Sequence, residues 1–162
     1  MFAYACVSLC AYDSSVLPKK GFNKLKLYIT GEEFVACVYM LKRELLEKGL
    51  ASKLFALEVH SGSLLGILKR VYQSFDGIEV YNSIEEKAAN LLYLIVKNHP
   101  FVDGNKRVGA FAFLWYLEKA RMLNILKISP EVLITLTILI AQSKSMEKDR
   151  MIGLILQLLR YS

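Results

Sequence analysis

The chain has 162 residues, 54% of them hydrophobic, which suits one globular domain with a substantial core and leaves little room for a second. The net charge of +6 comes from Lys and Arg spread along the chain and interleaved with Glu, a pattern of solvated surface more than of nucleic-acid binding, although basic charge also suits phosphate ligands. Three cysteines, Cys6, Cys10 and Cys37, make neither an even disulfide framework nor a zinc-type spacing, and a reducing cytosol is their simplest home.

Taken in chain order, the N-terminal MFAYACVSLCAYD is apolar but lacks a basic leading region and falls short of the roughly 20 residues a membrane helix needs, so it reads as a buried segment. Residues 1–29 are set apart as an N-terminal segment without an assigned role, and 30–162 form a helical domain. Thr30-Gly-Glu-Glu33 is a capping box opening a helix that runs to Gly49. SGSLLGILKRVYQSF is a second helix, and the following DGIEVYNS, a Gly turn beside alternating apolar residues, predicts a short hairpin or extended flap. Ser83-Ile-Glu-Glu86 repeats the capping device, with Glu85 and Glu86 serving cap and dipole; its helix stops at Asn98 or His99, because a residue before proline is pushed out of the helical region. A fourth helix runs from about Gly104 to Ala120, a fifth opens at Ser129-Pro130 and a sixth near Ser145. The apolar VLITLTILIA in the fifth reads as core helix or as a homo-oligomer interface. The fold class is all-α.

Between LLYLIVKN and VGAFAFLWYLEK, both of which read as buried helix, lies the polar insert HPFVDGNKR, His99 to Arg107, where burial of polar groups is expensive. A helix starting at Gly104 turns the free N–H groups of its first turn into the loop, a ready phosphate site. Gly104 permits close approach to the backbone, and Lys106 and Arg107 add positive charge beside the same pole. Asp103, a carboxylate among cations, makes sense as a ligand for a magnesium ion bridging phosphates. His99 sits at the other end of the loop, and histidine's free pKa of about 6.5 lets it take a proton from an attacking hydroxyl. Phe101 pins the loop by burying its ring, and Asn105 bonds either the loop backbone or a phosphate oxygen. Each residue taken singly has an ordinary reading as a turn, a cap or a solvated first turn. The coincidence of all of them in nine positions favours chemistry.

HPFVDGNKR resembles the signature of the Fic and Doc (death-on-curing) family, HPFx[D/E]GN[G/K]R, at all nine positions. The resemblance covers residues 60 to 120 closely and 30 to 160 more loosely. It implies a Fic-type helical domain with a short β-hairpin flap, a cytoplasmic location, and a toxin-like, Mg2+-dependent transfer of a phosphate-containing group from ATP to a hydroxyl of a target protein. By that resemblance His99 is the general base, Asp103 the magnesium ligand and Phe101 the loop anchor; Gly104 and Asn105 shape the anion site, with Lys106 beside it and Arg107 on the nucleotide phosphates. The segment from Asp76 to Ser83 would be the flap that holds the target by backbone pairing.

Lys106 stands where AMP-transferring members usually have Gly, and Ala110 where they have a second Arg. Doc-type members carry Lys at the first of these positions, which leans the expectation to phosphorylation over AMP transfer, although Gly104 differs from the Ala of Doc. The inhibitory pattern [S/T]xxxE[G/N] is not completed at Ser143 and Glu147, since Lys148 follows, so regulation by a separate antitoxin-like protein is expected. The alternatives are a catalytically degenerate Fic-like module that binds nucleotide or a partner, motivated by Lys106 and Ala110, and a basic DNA-associated protein, for which no reader motif is found. His60 reads as a surface or capping residue, and Phe111, Phe113, Trp115 and Tyr116 read as core.

Overall fold

The computed structural model describes residues 10, 12–14, 16–123 and 128–160. The expected buried segment at the N-terminus falls mostly outside them, as does Cys6. Six α-helices occur among the described residues: α1 (Gly31–Glu47), α2 (Ser63–Val71), α3 (Ile84–Asn98), α4 (Asn105–Lys119), α5 (Pro130–Gln142) and α6 (Lys148–Arg160). One two-stranded antiparallel sheet joins β1 (Ser74–Phe75) to β2 (Ile78–Glu79). Among the described residues no helix is long and apolar enough to cross a membrane.

The helix boundaries follow from local chemistry. Thr30 Oγ1 accepts from the Glu33 N–H at 3.1 Å, and α1 closes with Gly49 N–H on Leu46 and Leu50 N–H on Leu45, a Schellman end built on the left-handed Gly49. Ser83 caps α3, and Ser129 with Pro130 in the first turn opens α5. Asp76 and Gly77, both at positive φ, form the tight turn of the predicted hairpin, in register Phe75 to Ile78.

Helix α3 is the axis of the molecule. Thirteen of its fifteen residues are buried, Glu85, Glu86 and Lys87 among them, and α2, α4, α5 and α6 all pack on it. Helix α4 approaches closest: a Cβ at Gly109 would stand 2.9 Å from Val96 Cγ2 and 3.4 Å from the Leu92 carbonyl oxygen. The loop from His99 to Gly104 is thus the link between the two most tightly apposed helices.

The assignment of Glu85 and Glu86 to cap and dipole is incomplete. Both side chains are buried, and they hold the chain N-terminal to α1: Glu85 accepts from Asn23 N–H at 3.1 and 3.2 Å, while Glu86 accepts from Gly21 N–H and Ser83 Oγ and pairs with Lys20. The aromatic set on α4 also divides. Phe113 and Tyr116 are fully buried, whereas Phe111 and Trp115 are half-buried and line a groove against α1. In α5 one face is core (Leu133, Leu136, Ile140), while Ile134 and Ile138 are exposed.

Candidate functional site

His99 caps the C-terminus of α3 in the left-handed region (φ 48°, ψ 57°), a conformation glycine or asparagine usually supplies there. Holding it with a branched aromatic side chain costs about 1–2 kcal/mol, and such strain collects at functional positions. The bend directs the chain away from the helix axis into Pro100, and Phe101 then enters the core, 3% exposed.

Two sets of bonds make the loop rigid. Asn105 Oδ1 accepts from the Phe101 N–H at 2.9 Å, and its Nδ2 donates to the Phe101 carbonyl at 2.8 Å. The Asn105 amide therefore serves the loop backbone, one of the two roles left open by sequence. Its Nδ2 also lies 3.4 Å from His99 Nδ1, at the long limit of a hydrogen bond, which orients the imidazole without fixing its tautomer. The second set comes from residues 55–59, which run beside the loop with a left-handed turn at Ala56 (φ 49°): Val59 N–H donates to Pro100 O, Val102 N–H to Leu57 O, and Ala56 N–H to Asp103 O, all within 3.0 Å. Glu58, in that same segment, accepts from Gly62 and Leu64 N–H and so caps α2. The backbone that pairs with the loop is thus Ala56–Val59, a segment that sequence periodicity did not single out.

Gly104 (φ 90°) is the N-cap of α4, and no side chain caps this helix. Its first turn holds no acidic residue, so the positive pole opens beside the loop. The space that a Cβ at Gly104 would fill is taken by the Phe55 ring, 2.3 Å from the ideal Cβ position. Arg107 is held at three points: Nη1 donates to Leu50 O at 2.9 Å, Nη2 pairs with Asp103 at 3.2 Å, and the guanidinium stacks 4.5 Å from the centre of the Phe55 ring. Lys106 is exposed, with no partner among the described residues. The residues of the insert are therefore gathered at one place, with His99 and the α4 start linked through Asn105.

The donor set fits magnesium held largely by phosphate oxygens. Among the described residues no group of three or more His, Cys, Asp or Glu would hold a metal unaided, and Asp103 offers one half-exposed carboxylate beside an uncapped helix pole. Magnesium is commonly bound through one or two carboxylates plus substrate phosphates and water.

His99 is exposed, yet it forms part of the wall of a cavity of about 470 Å³ with His60, Ser63, Arg70, Asn98 and Pro100. His60, read from sequence as a surface residue, is exposed as expected, but its place in that wall was not foreseeable from its own neighbours in the chain.

A family model described as Fic/DOC family matches residues 36–117, about half of the chain, from within α1 to near the end of α4. No curated protein and no solved structure matches it.

Proposed function

The chain belongs to the Fic/DOC family, whose members in general transfer phosphate-containing groups onto proteins, and from that premise we propose that it moves such a group from ATP, with Mg2+, to a hydroxyl of a target protein. The observation that carries the reading is the geometry around Asn105: one amide holds the loop shut and sets the His99 ring beside an uncapped helix start. Bound there, ATP with Mg2+ supplies an electrophilic phosphorus and its leaving group.

The chain's own residues do the rest. The N–H groups opening α4, with Lys106 and Arg107, would hold phosphate oxygens, and Asp103 would hold the magnesium ion, whose charge would offset that of the phosphates. The unprotonated nitrogen of His99 takes the hydroxyl proton as the acceptor oxygen bonds to phosphorus and the bond to the departing phosphate breaks. With Lys106 projecting from the first turn, the γ-phosphate is the group transferred and ADP the product; Gly104 in place of Ala favours the second reading, AMP transfer with loss of pyrophosphate.

Glu147, the acidic residue of the incomplete inhibitory pattern, is engaged locally, accepting from Lys144 N–H at 2.7 Å. This supports control by a separate antitoxin-like protein in the cytoplasm.

ATP labelled at the α- or the γ-phosphorus, incubated with Mg2+ and cell extract, should label a protein from the γ-label, and from the α-label if AMP is moved. Label from neither discards the function. His99→Ala should lower incorporation about 10²–10⁴-fold while the melting temperature holds, and His99→Asn, which tolerates the left-handed backbone, controls for strain.

A further inference from the structure

The cavity that His99 faces is lined on its opposite wall by His60, Ser63 and Arg70 of α2 and its approach, and it includes no residue from Asp103 to Arg107. His99 therefore lies where this cavity meets the loop that Asn105 ties to the α4 start. No acidic side chain is among the described residues lining the cavity, and Arg70 is exposed with no ion-pair or hydrogen-bond partner among them. Glu58, next in sequence to Val59 of the cavity wall, is occupied by Gly62 and Leu64 N–H. A cationic guanidinium and an imidazole on the wall of one cavity of about 470 Å³ form a receptor for an oxyanion, while Ser63 Oγ donates to the His60 carbonyl at 2.6 Å and braces that wall.

We propose that Arg70 and His60 form an acceptor subsite that selects hydroxyls neighboured by a carboxylate or phosphate, a reading that rests on the transfer function above. An anionic group seated between them presents the adjacent hydroxyl to His99 with its oxygen toward the phosphorus at the α4 start, so that the proton passes to the imidazole as the bond to phosphorus forms. The subsite makes the acceptor's local charge, more than its fold, the first criterion of choice.

The chain has two histidines, so its imidazole spectrum holds two sets of signals, which His60→Gln assigns. Titrating the protein with inorganic phosphate should shift the His60 signals, and Arg70→Gln should weaken that binding about tenfold. Equal affinity in the two proteins, or a shift confined to His99, overturns the subsite. ATP with Mg2+ should bind Arg70→Gln as it binds the original chain; loss of nucleotide affinity would place the oxyanion on the nucleotide and overturn the acceptor assignment.

In extract with labelled ATP and Mg2+, sites modified by the original protein should carry an acidic group beside the hydroxyl. Arg70→Glu should lose those sites about tenfold and favour ones beside Lys or Arg, a reversal that a helix-end dipole role for Arg70 would not produce. Labelling without charge preference, or a preference unchanged in Arg70→Glu, refutes this proposal and leaves the transfer function standing. No labelling by any protein refutes both.

Discussion

Gly104 meets two constraints at once, a backbone at φ 90° and a neighbour, Phe55, whose ring occupies the place of a side chain. Gly104→Ala should cost about 2 kcal/mol or more, from the left-handed backbone and from overpacking against a fully buried ring. Phe55→Leu in the same chain should recover part of that loss, since contacting positions couple by roughly 0.5–3 kcal/mol; simple additivity in urea unfolding would refute the contact. Cys37 shows a different constraint. Burial, with Glu33 nearby and only partly offset by Lys119, pushes its thiol up to about 12 from 9.0, so at pH 8 about one molecule in 10⁴ is thiolate. Iodoacetamide should modify Cys37 far more slowly in the native chain than in urea. Because the folded thiol keeps its proton above 9.0 while the unfolded one loses it, Cys37 lowers stability as pH rises from about 9 toward 12. Equal native and denatured alkylation rates would remove the burial. At this scale the nine-residue insert was readable because its chemistry is contiguous. Phe55, the reason Gly104 must be glycine, was not, because the contact crosses from one part of the chain to another.

Helix starts were legible because capping is a matter of three or four adjacent residues: Thr30, Ser83 and Ser129 each accept the backbone N–H that their spacing predicted. What escaped was the second use of the same residues. Glu85 and Glu86 have the spacing of a cap, and only the fold shows them enclosed, with the N–H groups of Gly21 and Asn23 turned toward them. A buried carboxylate is tolerable because it is hydrogen-bonded, and removing one partner leaves the other polar groups uncompensated. Glu85→Ala strands the Asn23 N–H and should destabilise the protein by about 1–3 kcal/mol, more than Glu32→Ala at the matching turn of α1. Thermal unfolding of the two variants compares them directly, and equal losses would mean that Glu85 only caps. The segment at residues 56–59 was hidden for a related reason. It pairs with the loop, not with a sister strand, and Ala-Leu-Glu-Val carries no turn signal or full alternation to announce it.

At the scale of the molecule, the site depends on elements far from it in sequence. Helix α3 is packed by four helices, the residue that caps its C-terminus is the proposed base His99, and α4 presses against it at Gly109, which ties the loop between them to the bundle. Residues 17–29 belong to that arrangement: Leu17 fills the surface that Gly153 leaves open on α6, Gly21 and Asn23 close the start of α3, the Leu27 carbonyl accepts from Tyr72, and Ile29 is in the core. The divide at residue 29 follows the extent of the family resemblance, and a motif match carries no trace of these long-range bonds. Removing residues 1–29 would expose apolar surface at Leu17 and Ile29 positions and leave Glu85 without its Asn23 donor and Glu86 with Ser83 Oγ alone. Loss of those donors and of two buried aliphatic side chains should together destabilise the chain by several kcal/mol, on the order of half of a typical domain's stability. The shortened protein 30–162 should therefore melt well below the full chain or without a cooperative transition, and its His99 signals should lose the dispersion that a rigid loop confers. A shortened protein that melts at the full-length temperature and keeps transfer activity would show that the N-terminal segment only rests on a bundle already complete.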